Sequence, residues 1–233
     1  MKKTIIATIF LLVFSSCAEL QQVVNQLPQG GIGNEEIASG LRQALDFGID
    51  KQVTKLMETD GFFKNELVKI LLPDELKKVD KTLRDIGLSS LADEGLKVLN
   101  RAAEDAVKEA KPIFVDAVKG ITFTDAKNIL LGSDNAATQY LTTKTETALY
   151  AKFNPVIKNS FSKVGADQIW NNLITKYNAL PLTADVNPDL TDYVTNEALE
   201  GVYTMIAVEE KEIRTKISSR TTDLLKRVFA LQD

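Results

Sequence analysis

The stretch TDYVTNEALEGVYTMIAVEEKEIR, residues 191–214, decides the fold class. Its apolar residues recur every three or four positions, which is the spacing of one face of an α-helix. The recurring residues are Val194, Ala198, Val202, Ile206 and Ile213. The sequence shows no sustained two-residue alternation between hairpin turns, the pattern typical of paired β-strands. It therefore predicts an all-α fold, a single multi-helix, bundle-like domain of roughly eight to ten helices without a sheet.

The helix nearest the start of this domain is predicted from its cap and its small residues. Asn34, followed by two acids, is typical of a helix N-cap. Three small residues lie four positions apart on one face of this helix, so another helix can approach closely there. They are Gly40, Ala44 and Gly48.

Prolines and short polar residues predict the other helix ends. The longest helix is expected from about Ser90 to Gly120, with a kink at Pro112. Pro155 is expected to interrupt a later helix, which Ser133 or Asp134 should cap. Ser218 or Ser219 is expected to cap the last helix.

Composition excludes several classes of chemistry. The 233 residues include 28 Lys and Arg, 32 Asp and Glu, no His and one Cys. Without histidine the chain lacks the commonest general base and a common zinc ligand, and one cysteine forms no cysteine metal cluster. An acidic chain without a dense basic cluster is poorly suited to nucleic acid. The sequence predicts no nucleic-acid partner, no metal site and no cofactor.

The first residues have the organisation of an export signal. Lys2 and Lys3 precede an apolar run of about ten residues, half of the roughly twenty that a membrane-spanning helix needs. Ser15 and Ser16 follow, and then Cys17, the only cysteine of the chain. Phe-Ser-Ser-Cys resembles the lipobox of bacterial lipoproteins, in which the cysteine carries the lipid. The alternative is an ordinary secretory signal with a coincidental cysteine.

This interpretation predicts three regions. Residues 1–16 are a cleaved signal peptide of the lipoprotein type, residues 17–34 are the lipidated N-terminus with a flexible tether, and residues 35–233 are the all-α domain. The expected location is the bacterial cell envelope, anchored to a membrane by lipid. Ala18 follows the cysteine where an inner-membrane retention signal has Asp, which favours the outer membrane, facing the periplasm.

Several segments, in this order and spacing, resemble the bacterial proteins that contain domain of unknown function 4197. They are DGFFKNELVKILLP (60–73), LNRAAEDAV (99–107), DAKNILLGSDNAATQYL (125–141), DYVTNEALEGVYTMIAVEEKEIR (192–214) and DLLKRVF (223–229). The resemblance covers about residues 35–230. It implies an exported, often lipobox-bearing protein with an all-α domain, and it carries over no catalytic residue.

One candidate polar site lies in the segment 99–107. Asn100 and Glu104 are one helical turn apart with Arg101 beside them, so they are candidates for the edge of a ligand pocket. The alternative is a structural network, for example pairing of Glu104 with Lys108.

A second group of candidates lies around 125–141 and on the helix 191–214. Glu210 and Arg214 are spaced for an ion pair, and Glu209 continues the apolar stripe, so paired carboxylates for acid–base work are one interpretation. A helix N-terminus near residues 132–140 is a candidate anion site, with helix capping as the alternative. The candidate residues are Asp125, Thr138, Tyr140, Tyr193, Glu210 and Arg214.

Residues 185–196 have part of the pattern of a calcium-binding EF-hand loop. Asp185, Asn187, Asp189 and Thr191 fall at the first four alternate positions, but Leu190 and Asn196 replace the Gly and Glu that such a loop needs. The sequence therefore favours turns and a helix cap here.

The leading functional hypothesis is a non-enzymatic binding or interaction module tethered to a membrane. Its ligand is expected to be an envelope protein, a lipid or a glycan, bound in a groove near aromatic residues. Those residues are Phe62, Phe63, Tyr140 and Trp170. A continuous apolar cavity of several hundred cubic ångströms would favour a small amphiphile, whereas a solid core with an exposed apolar patch would favour a protein partner. The alternatives are a carboxylate-dependent hydrolase acting on an envelope polymer, and a structural spacer.

Overall fold

The computed structural model describes residues 32–87, 89–163, 165–179 and 189–233. Within these ranges the chain forms nine α-helices and one 3₁₀ turn, with no strand, and residues 34–233 make one compact unit. The predicted all-α, single-domain fold is confirmed.

The helices follow one another with short connections. They are α1 (Asn34–Met57), α2 (Asp74–Asp85), α3 (Ser89–Val107), α4 (Ala110–Lys119), α5 (Phe123–Leu130), α6 (Ala136–Lys163), α7 (Ala166–Asn178), α8 (Thr191–Thr215), the 3₁₀ turn Ile217–Ser219, and α9 (Asp223–Phe229). The longest connection within one described range, residues 58–73, is not helical.

Helix α8 lies at the centre of the packing, because it contacts α6, α1 and α3. The five residues of its predicted apolar stripe are all buried, each at most 5% exposed. The stripe found in the sequence is therefore the core-facing side of the central helix.

The small residues of α1 allow close packing, as predicted. A methyl group added at Gly40 would lie 2.5 Å from Cγ2 of Val228 in α9, and one at Gly48 would lie 3.2 Å from Cγ of Glu209 in α8. A larger residue at Gly40 would force α9 away from α1.

The prediction of one long helix from Ser90 to Gly120 is wrong, because the chain divides into α3 and α4 at Lys108 and Glu109. Pro112 is the third residue of α4, where it needs no hydrogen-bond donor. Its ring would clash with the carbonyl of residue 108 in a continuous helix, so the helix ends there. The longest described helix is instead α6, with 28 residues.

The prediction that Pro155 interrupts a helix is also wrong, because α6 continues through it. Proline removes the hydrogen bond to the carbonyl of Ala151. Both Ala151 and Pro155 are exposed, so water can satisfy that carbonyl.

The predicted cap of the last helix is wrong as well. Ser218 and Ser219 lie in the 3₁₀ turn, and Thr222 caps α9 by accepting a hydrogen bond from Leu225 N–H at 3.2 Å. Arg220 donates to the carbonyl of Ile213, so the chain turns back on α8 before α9 begins.

No helix in the described ranges has the length and apolar character needed to cross a membrane.

Candidate functional site: two polar clusters and a surface groove

Glu210 caps helix α6 from a distance of more than seventy residues along the chain. Its Oε1 accepts a hydrogen bond from Ala137 N–H at 2.9 Å, and its Oε2 accepts from both the N–H and the hydroxyl of Thr138 at 2.8 Å. The predicted cap at Ser133 or Asp134 is therefore wrong, because the carboxylate of Glu210 binds these α6 N–H groups. The helix N-terminus proposed as an anion site is already occupied by an anion of the protein itself.

Arg214 binds the C-terminal end of the preceding helix, α5. Its guanidinium donates to the carbonyls of Ile129 and Leu130, at 2.8 and 3.1 Å, where α5 ends. It also donates to Glu210 Oε1 at 2.8 Å, and both side chains are 5% exposed. A cation at a helix C-terminus and an anion at a helix N-terminus each complement the helix dipole. We call this arrangement the Glu210–Arg214 joint, because it fixes the connection between α5 and α6.

The neighbouring carboxylate of Glu209 is also paired. It forms an ion pair with Lys51 at 2.7 Å and accepts a hydrogen bond from Gln52 Nε2 at 2.7 Å. Glu209 and Glu210 both line a cavity of only about 20 Å³, which is the space for about one water molecule. This hollow is smaller than a sugar ring, and the two carboxylates bind partners within the domain.

Asn100 binds the backbone of the non-helical segment 58–73. Its side-chain amide accepts from Ile70 N–H at 2.8 Å and donates to Ile70 C=O at 2.9 Å. It is 0% exposed, so these hydrogen bonds are made away from water. Asn100, predicted to lie at the edge of a pocket, therefore binds the segment 58–73, which packs beside it.

Glu104 and Arg101 hold the start of the same segment. Glu104 Oε1 accepts from Phe62 N–H at 3.2 Å, and Arg101 bridges Glu104 and Asp60, each at 2.5 Å. The hydrogen bond from Lys64, helped by the Arg101 charge, lowers the pKa of Asp60. We call Asn100, Arg101 and Glu104 together the Asn100 clamp.

The predicted pairing of Glu104 with Lys108 is wrong. Lys108 pairs with Asp105 at 2.6 Å, since Glu104 points into the domain toward Phe62. The structural interpretation of this cluster is correct, but its partners are backbone groups distant in sequence.

The segment held by the Asn100 clamp has a buried and an exposed side. In its second half, residues 67–73, the buried residues are Val68, Ile70 and Leu72. Leu67 and Leu71 are 64% and 53% exposed. Tyr193 donates its hydroxyl hydrogen bond to Leu71 C=O at 2.8 Å, so this predicted site residue also contacts the segment.

A surface groove of about 500 Å³ runs beside this segment, and we call it the Leu71 groove. Residues 69–73 form one side, the start of α2 forms the second and α8 forms the third. Its lining residues are Lys69, Leu71, Leu72, Pro73, Asp74, Lys77, Tyr193 and Glu197. Apart from Tyr193, these residues were not predicted as site residues. The run Leu71-Leu72-Pro73 gave no sequence signal that one leucine is buried and the other exposed.

Asp125 and Tyr140 take other roles. Asp125 forms a reciprocal capping box with Thr122 at the start of α5, and the hydroxyl of Thr122 lowers the pKa of Asp125. Burial, with a contribution from Asp125, raises the pKa of Tyr140, and Lys144 lies 5.7 Å from its ring centre. The predicted set of site residues is thus divided among several places in the fold.

Two of the predicted aromatic residues pack in the core. Phe62 is 0% exposed and lies against Gly201, and Trp170 is 3% exposed and lies against Gly95. Both side chains therefore fill space between elements.

Three predicted residues lie outside the described residues: Cys17, Asp185 and Asn187. Asp189, from the same incomplete calcium-loop pattern, accepts a hydrogen bond from Thr191 N–H at 3.0 Å at the start of α8. Among the described side chains, no group of three His, Cys, Asp or Glu is placed to hold a metal ion.

The fold and these contacts define an all-α domain whose two main polar clusters bind its own backbone. The chain belongs to the family described as protein of unknown function DUF4197, which matches residues 31–230. This confirms the resemblance found in the sequence. No curated protein and no solved structure matches the chain.

Proposed function

We propose that this protein is a lipid-anchored envelope protein whose helical domain is a non-enzymatic module that binds a protein partner. The observation that carries the binding proposal is the solid interior. The hollow that α1 and α8 line mainly with apolar side chains has a volume of about 20 Å³, and half of the residues that line the larger Leu71 groove are charged. Sites for small molecules occupy about 300–1,000 Å³.

Exposed apolar side chains supply the complementary observation. Leu67, Leu71, Leu131 and Ile217 are each more than half exposed. Apolar surface that remains in water favours burial against another macromolecule. A protein partner therefore fits this surface better than an amphiphile in the core.

The anchor is supported by the sequence around Cys17. A basic start, a short apolar run and two serines precede the only cysteine of the chain. Each methylene of an attached acyl chain contributes about 0.8 kcal/mol to membrane binding, so the two chains of a diacylglyceryl group anchor firmly. The tether then holds the domain close to the membrane of the envelope.

The anchor is tested by fractionating envelopes that contain the wild type or Cys17→Ser. The wild type should stay in the membrane fraction after a carbonate wash, whereas Cys17→Ser should appear in the soluble fraction. Phe14→Leu, which restores the usual residue of a lipobox, is the matched control and should behave as the wild type. Equal retention of Cys17→Ser and wild type would contradict the anchor.

The binding module is tested by photocrosslinking in intact envelopes. A photoreactive residue is placed in turn at Leu67, Leu131 and Ile217, and the masses of the products are measured. Crosslinks to a protein from at least one position are expected. No protein crosslink from any position, together with a stoichiometric lipid or glycan on the purified full chain, would contradict the proposal.

A further inference from the structure

Residues 69–72 form a short extended segment on the surface of a helical domain. One side-chain amide, Asn100, binds both the N–H and the C=O of Ile70. Both groups of Ile70 therefore lie on the same edge of the backbone, as in a β-strand and unlike a helix. Pro73, three residues after Ile70, has φ −59° and ψ 156°, which is also an extended conformation.

The opposite edge of this segment is only partly occupied: the Leu71 C=O accepts a hydrogen bond from Tyr193 and the Lys69 N–H donates to the Asn65 C=O. In an extended chain the neighbouring residues direct their N–H and C=O groups to the other edge. Within the described chain, no hydrogen bond is made by Leu71 N–H or by Lys69 C=O. Leu71 is 53% exposed and lines the groove, so the residue that carries the unpaired N–H lies at the surface. Unpaired groups along an exposed edge are a template for another strand.

Two acidic and two basic side chains line the Leu71 groove, and the carboxylate on its α8 side is that of Glu197. Lys69 lies on the other side, with its Nζ 4.9 Å from the ring centre of Phe63. Asp74 and Lys77 form an ion pair at 2.6 Å and neutralise each other. Glu197 has no ion-pair partner among the described residues. Burial, with a contribution from nearby Glu200, raises the pKa of Glu197. A basic side chain that entered the groove would complement this carboxylate.

We infer that the Leu71 groove binds an extended segment of a partner protein, which pairs with the Leu71 N–H and the Lys69 C=O and places a basic side chain beside Glu197. This inference rests on the proposed function, because it specifies where the protein partner binds and in which conformation. The exposed Leu71 side chain supplies apolar contact, and the Leu71 N–H and Lys69 C=O supply backbone pairing.

The first experiment compares photocrosslinking from Leu67, close in sequence to the groove, with crosslinking from Leu131, which is equally exposed. Both variants of the full chain are used in intact envelopes. Crosslinking from Leu67 to one segment of one protein is expected. Crosslinking from Leu131 alone would overturn the inference and leave the proposed function in place. No protein crosslink from Leu67, Leu131 or Ile217 would overturn the inference, and a stoichiometric lipid or glycan on the purified full chain would then overturn the proposed function as well.

The second experiment measures backbone pairing directly. A synthetic peptide that spans the crosslinked segment is added to the purified full chain, and hydrogen exchange of the Leu71 amide is followed. Exchange should slow by at least about tenfold, since pairing protects an amide that is free beforehand. A peptide that binds without slowing exchange at Leu71 would overturn the inference while leaving protein binding established.

Substitutions then measure separately how much the Leu71 N–H, the Leu71 side chain and the Glu197 charge contribute to peptide binding. Leu71→Pro removes the N–H and should weaken peptide binding about fivefold, the equivalent of one net hydrogen bond, whereas Leu71→Val should change it less than about twofold. Glu197→Gln should weaken binding about threefold, and the matched Glu200→Gln should not. Equal affinity of Leu71→Pro and Leu71→Val, or of Glu197→Gln and Glu200→Gln, would overturn the inference. Thermal unfolding shows whether each variant remains folded.

Discussion

The Glu210–Arg214 joint and the Asn100 clamp both use polar side chains to hold distant backbone, but they differ in what they leave free. The joint binds the ends of α5 and α6, and both of its charged side chains are 5% exposed. The clamp binds one edge of an extended segment and leaves the Leu71 N–H on the other edge without a partner. A buried polar cluster can therefore serve the fold alone, whereas the clamp also leaves the Leu71 N–H available to the partner that we propose.

The largest loss of stability is expected when the Glu210–Arg214 joint is broken. Arg214→Met leaves the Glu210 carboxylate buried without its cation, so the free energy of unfolding should fall by about 3–5 kcal/mol. Denaturant unfolding of the full chain measures this. The double variant Glu210→Gln/Arg214→Met should be more stable than Arg214→Met, because it contains no unpaired buried charge. A loss below about 1 kcal/mol for Arg214→Met would show that the joint is not a determinant of stability.

A smaller but substantial effect is expected from opening the clamp. Asn100→Leu keeps the volume but leaves the N–H and C=O of Ile70 buried without partners, which should cost about 2–3 kcal/mol. Hydrogen exchange at Ile70 should also accelerate. The exposed Asn171→Leu is the matched control and should change stability by less than about 0.5 kcal/mol. Unchanged exchange at Ile70 in Asn100→Leu would contradict the clamp.

The sequence predicted features that depend on periodicity within one helix better than contacts between residues distant along the chain. The stripe from Val194 to Ile213 and the small residues of α1 depend on periodicity within one helix, and both were predicted correctly. The cap of α6 could not be predicted, because its carboxylate, Glu210, lies in another helix.

The functional surface was harder to predict for a related reason. The sequence identified the residues of the Asn100 clamp but not the backbone that they bind. Leu71 and Leu72 are chemically identical, and only the packing of the segment buries one and exposes the other.

The caps of α5 and α6 allow a comparison of a cap from a neighbouring residue with a cap from a distant helix. Thr122→Ala removes the hydroxyl that accepts from Asp125 N–H at the start of α5, so stability should fall by about 1 kcal/mol. Ser133→Ala should change it by less than about 0.5 kcal/mol, because Glu210 caps α6. Thermal unfolding of the two variants compares them, and an equal loss would contradict the assignment of the α6 cap to Glu210.

The smallest effect on stability is expected from the titration of Asp60, which pairs with Arg101 of the clamp. The hydrogen bond from Lys64, together with the Arg101 charge, lowers the pKa of Asp60 below its unfolded value. The native state therefore binds fewer protons, and the stability contributed by Asp60 is present above about pH 4 and lost as the pH falls through the lowered pKa.

Asp60→Asn tests this dependence without changing the backbone preference, since Asn also tolerates the positive φ of 71° at this position. The difference in stability between wild type and Asp60→Asn should be constant near neutral pH and should shrink in acid. A difference that does not change with pH would contradict the lowered pKa.

The most direct test of the central claim is hydrogen exchange at Ile70 and Leu71 in the purified full chain. The account predicts that Ile70, bound by Asn100, exchanges at least about tenfold more slowly than Leu71, whose N–H has no partner. Equal protection of the two amides would contradict the claim that Asn100 binds the Ile70 N–H while the Leu71 N–H has no partner within the domain.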